Sequence, residues 1–228
     1  MIPAKTCAIV PLKALPRAKR RLSSVLPGPV REHLVLTMLE DVLATLAGIE
    51  HLDCVVVTPE GRVAEIARMH GAIVLPEPGA EDLNAAVRSG LDYVCARGIG
   101  QALVLPADVP LAARDELVGL IQSRGGQPGV TLVPSHDGKG TNGLLLAPPQ
   151  AIAPSYGPGS YLEHLSQAMA RRVDVNVVHL PGLARDIDEP ADLAQLMTHT
   201  PTAARYKFLE PYLAAPAGPQ PNPQGNDR

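Results

Sequence analysis

Seven stretches rich in Val, Ile and Leu, at 6–12, 53–58, 72–76, 102–106, 130–134, 143–147 and 173–180, punctuate the chain, and helix-length segments separate the early ones. Those segments, at 30–48, 61–70, 82–97 and 114–123, repeat their apolar residues near every 3.6 positions. Continuous apolar strands joined by crossover helices need cover on both faces, which predicts a mainly parallel sheet in an α/β fold. The alternation breaks at 130–147, where two strands are separated only by Pro134-Ser-His-Asp-Gly-Lys-Gly-Thr-Asn142. That connection is too short for a crossover helix, so a hairpin with antiparallel pairing is expected. A helix at about 160–172, the strand at 173–180 and a helix opening near Glu189-Pro190 complete the fold.

With 228 residues and 46% hydrophobic composition, one sizeable core is expected. Residues 1–200 are assigned to that domain and 201–228 to a Pro- and Ala-rich tail, with disorder expected after about 212. A net charge of −3, one Phe and no Trp supply neither a basic field nor a stacking platform, which argues against nucleic acid as a partner. The three cysteines (Cys7, Cys54, Cys95) lack C-x-x-C spacing and lie among apolar residues, so they are expected as buried free thiols. Cys95 could face a ligand pocket or the core. No apolar run reaches membrane-spanning length, and a soluble cytoplasmic protein is expected.

Chemistry concentrates where strands end. After the first strand, Lys13, Arg17, Lys19, Arg20 and Arg21 place five cations within nine residues. The run is either a solvated basic loop or a polyphosphate site, since strand ends of open α/β sheets face the ligand crevice. Asp108, in Leu105-Pro-Ala-Asp-Val-Pro110, follows the strand at 102–106 and precedes the next helix by several residues, which favours a ligand role. In Asp186-Ile-Asp188-Glu-Pro190 the alternation sends both aspartates to one side of an extended segment, while Asp188 could instead cap the following helix. Carboxylates near a cation cluster match the needs of Mg²⁺ and a triphosphate. Two loops, Gly138-Lys-Gly-Thr-Asn-Gly143 and Tyr156-Gly-Pro-Gly-Ser-Tyr161, could be plain turns or anion sites, the second at a helix N-terminus. His136 and Asp137 are expected as solvated turn residues. Neither the Walker spacing nor G-x-G-x-x-G is present.

Taken together, Pro11-Leu-Lys13, Ala18-Lys-Arg-Arg-Leu22, Asp82-Leu-Asn84-Ala-Ala, Leu105-Pro-Ala-Asp-Val-Pro110, Gly140-Thr-Asn142, Tyr156-Gly-Pro-Gly-Ser160 and Asp186-Ile-Asp-Glu-Pro190 resemble the 2-phospho-L-lactate guanylyltransferase family, in order, over about residues 5–198. The resemblance implies a single-domain nucleotide-diphospho-sugar transferase-like (Rossmann-like) fold and transfer of GMP from GTP to a small phosphorylated three-carbon acid in deazaflavin coenzyme F-420 biosynthesis. That acid is 2-phospho-L-lactate, phosphoenolpyruvate or 3-phospho-D-glycerate across the family.

By the same resemblance, Lys13, Lys19, Asp108 and Asp188 are catalytic, and Mg²⁺ is held by Asp108 and Asp188 with Asp186 as a further candidate. Leu12, Lys13, Lys19, Arg21, Leu83, Asn84 and Pro106 bind the nucleotide, and Thr141, Asn142, Gly157 and Ser160 bind the acid. A homodimer is also implied. Arg17 and Arg20 are expected to face outward. The chain departs from the family at Arg20, at Gly143 and at Tyr156 and Tyr161, where Phe is usual; these bear on the acid more than on the reaction. Two alternatives are a nucleotidyltransferase of the same fold using another nucleotide or phosphorylated substrate, and a nucleotide-binding module that senses without reacting.

Overall fold

A computed structural model describes residues 5–13, 15, 19–76, 82–198 and 202–213. Arg17 and the end of the tail, 214–228, lie outside the described residues. The strands are β1 (Thr6–Pro11), β2 (Leu52–Thr58), β3 (Ile73–Pro76), β4 (Gln101–Val104), β5 (Gly129–Pro134), β6 (Thr141–Ala147) and β7 (Val175–Val177). The helices are α1 (Gly28–Ala47), α2 (Gly61–Met69), α3 (Leu83–Ala96), α4 (Arg114–Gln122), α5 (Ser160–Ala170), α6 (Pro190–Thr198) and the single turn α7 (Glu210–Leu213), with 3-10 segments at Arg20–Ser24 and Thr202–Leu209. Each expected strand and helix is present, most within two residues of its expected ends. The expected strand at 173–180 is an exception, because only Val175–Val177 pairs in the sheet.

One seven-stranded sheet runs β3-β2-β1-β4-β6-β5-β7. β6 is antiparallel to both β4 and β5, and the other pairs are parallel. The hairpin enters the sheet through its second strand, which lies inside β5. All seven residues of Thr141–Ala147 are buried, as a strand flanked and covered on both sides requires.

Alternate strand residues feed two cores. Ala8, Val10, Val56, Leu103, Leu105 and Leu145 pack toward α1, α2, α4 and α6, whereas Ile9, Val55, Val57, Val104, Leu144 and Leu146 pack toward α3 and α5. The packed body continues beyond residue 200: Tyr206 and Leu209 are fully buried, and the Tyr206 hydroxyl donates to Asp41 of α1 at 2.6 Å. Cys7 is buried and Cys54 and Cys95 are half-buried; all three are free, and burial pushes the Cys7 and Cys54 thiols up to about 12. No helix among the described residues is long and apolar enough to cross a membrane.

The strand order reverses between β1 and β4, which opens a crevice at the C-terminal ends of these strands. Because β6 is antiparallel, its N-terminal end reaches the same rim. α3 seats closely against β1 there: a Cβ on Gly90 would lie 2.5 Å from Ile9 Cγ2. Gly90→Ala should therefore lower the unfolding free energy in urea by about 1 kcal/mol, since overpacking costs about 1–3 kcal/mol and helix propensity returns only about 1. A more stable variant would contradict this packing.

Candidate active site

A cavity of about 490 Å³ opens at this crevice, within the usual range for small-ligand sites. Twelve of the residues expected from sequence line it: Leu12, Lys13, Lys19, Leu83, Pro106, Asp108, Thr141, Asn142, Gly157, Ser160, Asp186 and Asp188. Strand ends account for most of them. Leu12 continues the β1 pairing by donating its N–H to Val57 O at 3.0 Å, and Leu105 N–H donates to Ile9 O at 3.0 Å, which carries Pro106 and Asp108 forward onto the rim.

Lys19 is the charged centre of the wall. Its ammonium lies 2.5 Å from Asp108 Oδ2 and 2.6 Å from Asp188 Oδ1, with 6% of the side chain exposed. Burial alone would pull this ammonium down, but the two carboxylates outweigh burial and hold its pKa above the ordinary lysine value. The backbone at Lys19 is left-handed (φ 52°, ψ 45°), a conformation that costs a residue with a Cβ about 1–2 kcal/mol. An ammonium has three donors. Two are taken by carboxylates, and Lys19 lines the cavity.

The acidic segment is held by backbone bonds, so its carboxylates stay free for this role. Ile187 is buried and its N–H donates to Asp108 O at 3.0 Å, laying 186–188 alongside Asp108. Glu116 of α4 accepts from Gly182 N at 2.8 Å and Leu183 N at 3.1 Å, anchoring the approach to it. The alternative of Asp188 as a helix cap is resolved by Asp192, whose carboxylate accepts from the N–H groups of Asp188 (3.0 Å) and Glu189 (2.7 Å). Asp186 accepts from Asn142 Nδ2 at 3.0 Å, and burial raises its pKa. Asn142 Nδ2 also donates to Leu183 O at 3.2 Å, so its amide hydrogens brace this segment.

Could these residues hold a divalent cation? Among the described residues, Asp108 Oδ1 is buried without a hydrogen-bond partner, and Asp188 Oδ2 lies 3.7 Å from Arg21. Among the described residues no group of three or more ligating side chains forms a metal site. Two carboxylates suit magnesium, which is commonly held by one or two of them with substrate phosphates completing the shell. The donor set fits.

The glycine loop lines the same cavity. Gly157 (φ 145°) and Gly159 (φ 74°) take conformations that disfavour a side chain, and Ser160 opens the eleven-residue α5 toward the cavity. Two expected residues stand apart from the cavity lining. The Arg21 side chain is 70% exposed beside Asp188 and Glu189. Asn84 clamps the backbone of Tyr156, donating to its O at 2.9 Å and accepting from its N at 2.6 Å. His136 and Asp137 are exposed turn residues, as expected, and Cys95 does not line the cavity.

Sequence reasoning missed Glu116, Asp192 and His164, which act behind the cavity. Position in the first helical turn could have signalled Asp192 and Glu116, whose carboxylate also accepts from Ala113 N at 3.2 Å; nothing local marks His164. His164 is fully buried on α5, with Nδ1 3.0 Å from Thr141 Oγ1 and Nε2 accepting from Ser155 N at 2.9 Å.

Comparisons with known proteins show the family and the fold. The sequence matches the family described as Guanylyl transferase CofC like over residues 6–215. It is 39% identical over 200 residues to the phosphoenolpyruvate guanylyltransferase of Sphaerobacter thermophilus, covering 87% of this chain and 96% of that one. It is 34% identical over 196 residues to the 2-phospho-L-lactate guanylyltransferase of Methanothermobacter thermautotrophicus, covering 86% and 85%. Among solved structures, a candidate nucleotide-diphospho-sugar transferase from Desulfovibrio desulfuricans superposes with a TM-score of 0.72 at 15% identity, covering 91% of this chain and 94% of that one. At that identity the likeness carries the fold alone.

Burial holds the His164 pKa down at about 4. The folded chain therefore stays neutral at this site while the unfolded chain takes up a proton below about 6.5, so stability is full above that pH and falls as pH drops toward 4. The contribution is on the order of 3 kcal/mol. Urea unfolding at pH 7 and pH 4.5 should show a smaller stability drop for His164→Gln than for wild type, whereas equal drops would contradict a buried neutral imidazole.

Proposed function

The chain belongs to the Guanylyl transferase CofC like family, and on that premise we propose that it transfers GMP from GTP to a small phosphorylated three-carbon acid with release of pyrophosphate. The single observation that carries the reading is the Lys19 ammonium between Asp108 and Asp188, in a cavity also lined by a Gly-Ser loop at a helix N-terminus. That arrangement suits two anionic substrates, one held by cations and one by backbone and hydroxyl donors.

In the proposed step a phosphate oxygen of the acid attacks the α-phosphorus of GTP. The new O–P bond forms as the bond from the α-phosphorus to the bridging oxygen breaks, and pyrophosphate leaves. The attacking oxygen is already ionised at neutral pH, so no general base is required. The chain must align the two anions and neutralise the charge that moves onto the leaving group. Lys13 and Lys19 supply positive charge toward the nucleotide phosphates, and Arg21 adds to it from the rim. Leu12, Leu83 and Pro106 offer an apolar wall to the nucleoside. Thr141 and the backbone at Gly157 receive the acid, and Ser160 backs the Thr141 hydroxyl.

Asp108 and Asp188, with Asp186 nearby, would hold Mg²⁺. When bound, the ion supplies Lewis-acid neutralisation of phosphate charge. The same reading places the protein in coenzyme F-420 biosynthesis, in the cytoplasm and as a homodimer.

The test is pyrophosphate release with GTP, Mg²⁺ and, one at a time, phosphoenolpyruvate, 2-phospho-L-lactate and 3-phospho-D-glycerate. Turnover with at least one acid is expected, and Asp108→Asn should reduce it by about 10²-fold or more while leaving the thermal unfolding cooperative. No pyrophosphate with any acid, or release with CTP or ATP but not GTP, would sink the reading.

A further inference from the structure

His164 lies behind the cavity and outside its lining, yet it touches the residue at the start of β6 and the loop that leads into α5. The Ser155 backbone N–H donates to Nε2 at 2.9 Å. A backbone amide can only donate, so Nε2 carries no proton and a neutral ring must carry it on Nδ1. Nδ1–H then donates to Thr141 Oγ1 at 3.0 Å. Ser160 Oγ donates to the same Thr141 oxygen at 3.4 Å. With two donors on its lone pairs, the Thr141 hydroxyl has only its proton to offer a ligand. The opposite tautomer would reverse this outcome, because an unprotonated Nδ1 would draw the Thr141 proton inward and leave lone pairs facing the cavity.

The direction is well braced. Asn84 fixes the Tyr156 backbone next to the donating Ser155 amide. The Tyr156 ring stands edge-on to the imidazole with centroids 5.1 Å apart. Phosphate and carboxylate oxygens of an ionised acid only accept hydrogen bonds, so the polarity of this hydroxyl decides whether the wall attracts or repels them.

We propose that His164 is a positioning residue that, by donating to Thr141, turns the Thr141 hydroxyl proton toward the cavity and makes this wall a donor for an anionic group of the phosphorylated acid. The proposal rests on the function proposed above and adds a specificity element to the acid subsite.

Two measurements test it. In the wild-type chain at pH 7, ¹⁵N NMR of the histidine ring should show His164 protonated at Nδ1 and bare at Nε2; a proton on Nε2 would overturn the proposal whatever the activity. In kinetics, His164→Gln should raise KM for the acid roughly 10- to 100-fold, the loss expected for a hydrogen bond to a charged group, with KM for GTP unchanged. Thr141→Val should do the same, Thr141→Ser should retain tight acid binding, and His164→Gln added to Thr141→Val should cost nothing further. Multiplying effects, or equal rises in both KM values, would assign His164 a structural role and defeat the proposal. Should the wild-type chain transfer GMP to no acid, the function proposed above falls, and the tautomer alone then decides the hydroxyl's direction.

Discussion

One ammonium binds the carboxylates of two segments that a single backbone bond, Ile187 N–H to Asp108 O, lays side by side. Asp108 follows a central strand and Asp188 precedes α6, and Lys19 approaches within 2.6 Å of both while almost wholly buried. Burying the ammonium is costly, and attraction to the two partly exposed carboxylates offsets that cost only while both are in place. Two carboxylates facing each other without the ammonium would repel, and a buried ammonium without them would be uncompensated. The left-handed backbone at Lys19 indicates how firmly the surroundings impose this geometry, since the conformation is unfavourable for any residue with a side chain.

The sheet provides the frame that makes this contact possible. Reversal of strand order between β1 and β4 opens the crevice, and the antiparallel β6 brings Thr141 and Asn142 to the same rim from the opposite chain direction. Around the rim, polar residues fix the loops. Glu116 anchors 182–183, Asp192 caps α6, Asn84 clamps Tyr156 and His164 ties Ser155 to Thr141. Cations and carboxylates thus share one cavity with the donors of a glycine loop, a combination suited to holding two anions in fixed relation.

Much of this was legible in the sequence, for identifiable reasons. Strand and helix periods were clear because the sheet is covered on both faces, and the short link between β5 and β6 demanded a hairpin. Which hairpin strand would lie inside was not legible: β5 and β6 are both apolar, and pairing is decided by tertiary packing. Asp108 could be singled out because it ends a central strand before any helix needs a cap. Asp188 could not be separated from a capping role, since the competing cap, Asp192, becomes visible only when the backbone N–H groups of 188 and 189 are seen to converge on it. His164 was invisible for a different reason: a lone histidine in an amphipathic helix carries no local mark of the two partners that fix its tautomer. Arg21 shows the limit of charge clustering, because a run of cations does not reveal which of them the turn at Arg20–Ser24 will bury.

The account rests most heavily on the carboxylate pair being a cation site whose built-in partner is Lys19. Binding of Mn²⁺, as a spectroscopic substitute for Mg²⁺, can be followed by electron paramagnetic resonance without nucleotide in wild type and in Lys19→Met. Removing the neutralising ammonium should tighten Mn²⁺ binding by on the order of tenfold or more, because the two carboxylates then face each other uncompensated. Equal or weaker binding in Lys19→Met would contradict the account.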